Sequence, residues 1–367
     1  MKLPEIEEFI NLWPKSLAIL KLEVLQYFEQ HEIQIDNVWF PDIDIIFPKH
    51  LESLTNIQIV FFGGFLERVF ETGNWPNKNY SFWTLSSKVK KVLVEMLKFP
   101  KETIKTIPRN ALFVKNHSEK NIDLNQKLQI IYSGRLSSQK NIEMFLAFSA
   151  ILQEHLEVDV EVLLLGEWDN QIPKNRGRYI ISSYQQSVER FKGKLNFKIE
   201  PQVINNLDHD EWLKEVKPNA ILVNFSTFVC EDFGVSIAQA QSLGMPMILS
   251  NWGGHSDVIA ENCFLVECQD IGESLSADEQ IILKAQNVVN KILDNKLKIN
   301  NKKLNSDLVS DHCSLSLDNL QEIRLEVLKH YGNEMSLLGQ DRMSLLASSQ
   351  SGKIFFKDFS NLFAGTR

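Results

Sequence analysis

The chain has 367 residues, 44% hydrophobic and 23% charged, so it can bury a large core and is long enough for two domains. A formal net charge of -8 and a pI near 5.6 exclude non-specific nucleic-acid binding through a generally basic surface. The start, MKLPEIEEFINLWPKSLAIL, has no basic segment leading into an apolar run, and no apolar stretch approaches bilayer-spanning length, so neither a signal peptide nor a membrane span is expected.

In chain order, the first residues read as helical, and IDNVWF, IDIIFP, IQIVFF (57–62) and SFWTLS (81–86) predict strands. A helical SKVKKVLVEMLKFP follows, and IKTIPRNALF closes this first unit. The polar KNHSEKNIDLNQ (115–126) has no core pattern and reads as a connection. Beyond it the pattern is clearer: LQIIYSG (128–134), VDVEVLLLG (158–166), NFKIEP (196–201), AILVNFS (220–226), MPMILS (245–250) and CFLVE (263–267) predict strands. Between them lie helical patterns, such as Ile142, Phe145, Leu146 and Leu152 on one face and VSIAQAQSLG ending at a C-cap Gly244. Nearly continuous apolar strands alternating with helices require a parallel sheet covered on both faces, a doubly wound α/β domain. DNKLKINNKKLNSD (294–307) is expected to be a solvated surface, and KIFFKDFSNLF (353–363) carries Phe355, Phe359, Leu362 and Phe363 at helical spacing.

Cys230, Cys263, Cys268 and Cys313 are too few and too irregular for a disulfide framework, and with His312 they match no zinc spacing. Buried free thiols in a reducing cytoplasm, and no metal, are the expectation.

Ligands of doubly wound domains bind beyond the carboxyl ends of the strands. In GRLSSQKN, Gly134 permits a tight turn, and Arg135 and Lys140 stand where a helix begins, a setting that suits a diphosphate. Two solvated cations are the alternative. In CEDFGVSIAQAQSLG, Glu231 and Asp232 interrupt an apolar stretch at a second strand-to-helix junction. They serve either a ligand or the helix dipole. Gln239, polar in a helix of small and apolar residues, is less easily explained without a ligand.

YSGRLSSQKN, a strand ending LLLG, and STFVCEDFGVSIAQAQSLGMPMILSNWGGHSDVI together resemble the carboxyl-terminal domain of GT-B fold glycosyltransferases, specifically retaining family 4. The resemblance is strong over residues 127–270. It implies two Rossmann-like doubly wound domains facing across a cleft. The amino-terminal one (1–118) is abbreviated and completed by a C-terminal helix at 340–367; the nucleotide-sugar-binding one spans 119–335. It further implies that Arg135 and Lys140 bind the donor diphosphate and that Glu231 contacts hydroxyls of the donor sugar. Gly134, Gly166, Asp232, Phe233, Gly234, Val235 and Gln239 would line the donor site.

Gln239 stands where the family has a ribose-binding Glu, which forfeits charge assistance of roughly 1 to 2 kcal/mol, about tenfold in affinity. Asp257, after Gly253 and Gly254, stands where a Glu is more usual. The family's glycine-rich amino-terminal turn is missing and its amino-terminal His has no clear counterpart; Gly63 and Gly64, which a plain strand-to-helix turn explains equally well, and His50, which otherwise reads as a surface His, are the acceptor-side candidates.

The implied reaction is transfer of a sugar from a UDP- or GDP-sugar to an acceptor hydroxyl with retention. No tightly bound cofactor or metal is required, because Arg135, Lys140 and helix N-termini stabilise the leaving diphosphate. The acceptor would be a glycan, a lipid-linked glycan or a protein. The expected location is cytoplasmic, with the Phe-rich C-terminal helix packed on the amino-terminal domain or, alternatively, docked peripherally on a membrane or a protein partner. A degenerate, non-catalytic binder of sugar, nucleotide or partner is the rival reading. A dinucleotide oxidoreductase is disfavoured, since no G-x-G-x-x-G follows any strand.

Overall fold

The computed structural model describes residues 15–40, 51–61, 79–96, 99–113, 120, 122–137, 140–168, 184–205, 214–227, 231–258, 260, 262–271 and 277–294. They form two parallel sheets flanked by helices, an α/β architecture as expected.

The first sheet has four strands in sequential order: β1 (Val38–Trp39), β2 (Ile57–Val60), β3 (Tyr80–Thr84) and β4 (Ile104–Thr106). Helix α1 (Lys15–Gln30) covers it with Leu20, Val24, Leu25 and Phe28, which pack on Val60, Trp83 and Leu85. Ser86 caps α2 (Ser87–Lys91): its backbone is extended and its hydroxyl accepts from Val89 N at 3.2 Å.

The second sheet has six strands: β5 (Leu128–Ser133), β6 (Val160–Leu165), β7 (Gln202–Ile204), β8 (Ala220–Asn224), β9 (Met247–Ser250) and β10 (Cys263–Val266). Their spatial order is β10-β9-β8-β5-β6-β7, all parallel. The chain therefore winds outward from β5 in one direction and from β8 in the other, so the order reverses between these two neighbours. The unbroken apolar runs follow from burial on both faces. Ile130, Tyr132, Val162, Leu164, Ile221 and Val223 meet α3 (Ile142–His155) and α6 (Asp278–Asp294) on one side. Ile131, Leu163, Leu165 and Leu222 meet Ile237 and Ala240 of α5 (Val235–Ser242) on the other. Helix α3 is buried from Ile142 to Gln153, and each large apolar side chain so covered contributes about 1.5 to 3 kcal/mol. Helix α4 (Tyr184–Lys192) closes the same side through Val188 and Phe191.

Most expected strands are found. NFKIEP is a correction: residues 196–201 are not a strand, and the third strand of this sheet is Gln202–Ile204. The cause is Gln153 of α3. Its side chain accepts from Lys198 N at 2.9 Å and Ile199 N at 3.3 Å and donates to Ile199 O at 2.9 Å, so this backbone is satisfied before pairing begins. Gly244 ends α5 with φ +63°, as expected. The IDIIFP segment, the 294–307 surface segment beyond Asp294 and the C-terminal helix lie outside the described residues. Cys263 and Cys268 are free thiols, pushed up to about 12 by burial.

Candidate functional site

The order reverses between β5 and β8, and the carboxyl ends of the strands at such a reversal are the place where a doubly wound sheet takes its ligand. Two loops meet there. The first leaves β5 at Gly134 and enters α3. Tyr132 OH donates to the carbonyl of Arg135 at 2.8 Å, and Ser137 N donates to the same oxygen at 3.1 Å, which fixes the turn. The loop ends at Asn141, which has left-handed backbone (φ 52°, ψ 49°) and donates through Nδ2 to Phe225 O at 2.8 Å and Thr227 Oγ1 at 3.0 Å. A left-handed non-glycine costs about 1 kcal/mol or more. Here it ties the start of α3 to the end of β8. Beside β5, Gly166 admits the apposition of the β5 and β6 loops, since a Cβ at 166 would lie 1.9 Å from Gly134 O.

That tie brings Lys140 against Glu231. Lys140 Nζ hydrogen-bonds to Glu231 Oε2, and Ser226 Oγ donates to the same oxygen at 2.5 Å. Both charged side chains are nearly enclosed, with 13% and 8% of their surfaces exposed. Burial alone would raise the Glu231 carboxyl, but Lys140, His255 and Ser226 outweigh it and hold it at about 2. His255 contributes to that balance only when protonated, and burial drives its own value down to about 4 despite Glu231. At neutral pH it is Lys140 and Ser226 that keep Glu231 ionised.

A third strand end completes the floor. After β9 the chain turns through Gly253–Asp257, and Gly254 N donates to Glu231 O at 2.9 Å. The approach is so close that a Cβ at 254 would lie 1.3 Å from Asp232 O. Arg109, at the end of the first unit, bolts both pieces. Its guanidinium donates to Phe233 O, to Gly234 O at 3.2 Å and to Gly254 O at 3.3 Å, and lies 4.5 Å from the centre of the Phe233 ring. Burial lowers it to about 10, which leaves it charged. Around it, Phe113 stacks on Phe233 at 5.8 Å, and Asp257 accepts from Ser87 N and Ser87 Oγ at 2.5 Å each. Asp232 is buried with neither carboxylate oxygen in proper hydrogen-bond geometry. Burial pushes it up to about 7, against weak support from nearby Ser86 and Leu85 N.

The expected residues thus divide. Lys140 and Glu231 touch. Arg135 is exposed on the same loop, and Gly134 and Gly166 form its backbone floor. Asp232, Phe233 and Val235 turn toward the first sheet, where Phe233 and Ala238 join its core and Val235 packs on it. Gly234 precedes α5 with its carbonyl on Arg109, and Gln239 is buried in the second turn of that helix. Gly63, Gly64 and His50 lie outside the described residues. Sequence reasoning missed four groups: Arg109, Asn141, Ser226 and His255. The one available signal was His255 directly after the Gly253-Gly254 pair.

Chemically, a cation beside a helix N-terminus suits an anionic leaving group, and a carboxylate beside it suits hydroxyls. Among the described residues no cluster of His, Cys, Asp and Glu could hold a metal ion, and no helix is long and apolar enough to cross a membrane.

A family model described as glycosyl transferases group 1 matches residues 114–303. Among solved structures, the chain is similar to a glycosyltransferase from Rickettsia africae ESF-5, with 13% identity over 94% of this chain and 82% of that one, at a TM-score of 0.40. It is also similar to WaaG, a glycosyltransferase involved in lipopolysaccharide biosynthesis, with 12% identity, 75% and 73% covered and a TM-score of 0.41. A third likeness is to the structure of trehalose-6-phosphate from E. coli bound with UDP-2-fluoro glucose, with 12% identity, 81% and 76% covered and a TM-score of 0.41. No curated protein matches the sequence.

Proposed function

The chain belongs to the glycosyl transferases group 1 family, and from that premise we propose that it moves a sugar from a nucleoside-diphosphate donor to an acceptor hydroxyl, retaining anomeric configuration. The single observation that carries this reading is the contact of Lys140 with Glu231 at the β5–β8 reversal. Lys140 binds Glu231 through one N–H, and its ammonium charge suits diphosphate oxygens at the same place. As the glycosidic bond breaks, charge grows on the leaving diphosphate, and Lys140, Arg135 and the N-terminus of α3 stabilise it. Glu231, ionised by Lys140 and Ser226, orients hydroxyls of the transferred sugar. Gln239 accepts from the ribose without charge assistance. Gly134, Gly166, Gly234 and Val235 supply backbone close to the donor, while Asp232 and Phe233 hold the loop from behind.

UDP- or GDP-sugars are the donors of this proposal, and a glycan, a lipid-linked glycan or a protein is the acceptor, met through the amino-terminal unit of residues 1–118. No tightly bound cofactor or metal is invoked. The reaction is assigned to the cytoplasm, with residues 340–367 completing the amino-terminal unit or resting on the inner face of a membrane; co-sedimentation with anionic vesicles that persists without residues 350–367 overturns the membrane arm.

Release of nucleoside diphosphate from a panel of nucleotide sugars tests the whole. Arg135→Ala and Lys140→Ala are each expected to lower it about a hundredfold or more. Unchanged turnover in either variant removes that residue from the mechanism. Gln239 favours a second reading, a transferase-like binder without catalysis, and donor binding with no release of nucleoside diphosphate by the wild type supports it.

A further inference from the structure

His255 has no exposed surface, lies in the turn after β9, and is not used by the reaction as described above. Its protonation follows from its neighbours. Ser250 Oγ lies 2.5 Å from the carbonyl oxygen of Ser226, an atom that only accepts, so the Ser250 hydroxyl proton points there. What Ser250 Oγ turns toward His255 Nδ1, 2.9 Å away, is a lone pair. The neutral imidazole therefore carries its proton on Nδ1, and Nε2 is an acceptor.

That acceptor is buried and has no hydrogen-bond partner. It lies 3.8 Å from Glu231 Oε1, while Lys140 and Ser226 both bind the other oxygen, Oε2. Among the described residues two acceptors thus face each other with no donor between them, an unfavourable arrangement where water is largely excluded. A proton on Nε2 would relieve this, but burial opposes it at neutral pH. A ligand hydroxyl placed there would supply the missing donor. Gly234 places only backbone beside this atom: a Cβ at that position would sit 3.6 Å from Nε2, in ordinary contact.

We propose that His255 is a specificity-determining residue of the sugar subsite, where its Nε2 and Glu231 Oε1 each accept from one of two neighbouring hydroxyls on the transferred sugar. This rests on the transferase reading and deepens it. The site then selects a hexose with both hydroxyls free and rejects donors that lack either one. Ser250 serves as a positioning residue, since it fixes the tautomer.

The experiment first finds, from UDP- and GDP-hexoses, the donor that the wild-type protein hydrolyses. It then measures KM and kcat for that donor and for its singly deoxygenated analogues in wild type, His255→Gln and His255→Ala. UDP and GDP binding is measured in parallel by calorimetry. Expected is a KM for the intact donor about tenfold higher in His255→Ala, partial rescue in His255→Gln, whose amide oxygen still accepts, and nucleoside-diphosphate affinity within twofold of wild type. The His255→Ala effect disappears with one deoxygenated analogue. An equal rise in KM for every analogue, or an equal loss of nucleoside-diphosphate affinity, overturns the proposal and leaves His255 as a packing residue. Should His255→Ala not fold, the analogue pattern of His255→Gln decides in the same way. A wild type that binds nucleoside diphosphates and turns over donors, yet shows no penalty for any missing hydroxyl, also overturns it and leaves the transferase reading standing. If no donor is hydrolysed and no nucleoside diphosphate is bound, both readings fall together.

Discussion

The two sheets are built to different standards. The second encloses its own core: alternate residues of β5, β6 and β8 meet helices on both faces, and among the described residues those clusters draw nothing from the first sheet or its helices. The first has strands of two to five residues, and its cluster is completed by Phe233 and Ala238, which follow β8 in the other unit. The smaller unit borrows its last piece of core from the loop that carries Glu231. Stability of the one and geometry of the other are therefore a single problem.

This coupling can be broken most severely at Phe233. Phe233→Ala removes a ring packed against Phe113, Arg109 and the α1 cluster, and a loss of about 3 to 5 kcal/mol is expected in urea denaturation. A change below about 1 kcal/mol would show the two units to be energetically separate. The next effect depends on pH. Folding raises Asp232 from 3.8 to about 7, so between those values the folded chain keeps a proton that the unfolded chain has released. This group therefore costs stability as pH rises through that window, and the cost is constant above it. Asp232→Asn should gain on wild type progressively from about pH 4 to 7, to no more than about 4 kcal/mol. Glu143 and His255, which titrate in overlapping ranges, cancel in the difference. A gap between variant and wild type that does not change with pH refutes the assignment. Smallest is Ser87→Ala, which removes one of two hydrogen bonds to Asp257 and should cost about 0.5 to 1.5 kcal/mol by thermal unfolding.

How much of this could be read beforehand also differs between regions. Strands β5, β6, β8, β9 and β10 were legible because burial on both faces writes itself as an unbroken apolar run. β7 was not. Its neighbouring segment NFKIEP alternates polar and apolar residues as a strand would, and what decides is the side chain of Gln153, from a helix well upstream. Within the site, Lys140 and Glu231 were legible because each sits in a local strand-to-helix junction with a recognisable pattern. Arg109 reads locally as one more surface cation in IPRNALF; only the fold reveals that three carbonyls surround it. Asn141 and Ser226 likewise act across the β5–β8 gap, and short-range spacing carries no record of such partners. The Asp232 carboxylate reads in sequence as a companion of Glu231, yet the same loop turns it the opposite way.

Arg109 has a last implication. A chain severed between the sheets would strand three carbonyl oxygens and a phenyl ring at the rim of the larger half, each shaped to receive a group that had left with the other fragment. The site is thus an achievement of both halves, and its assembly and the closing of the smaller half should happen as one cooperative event.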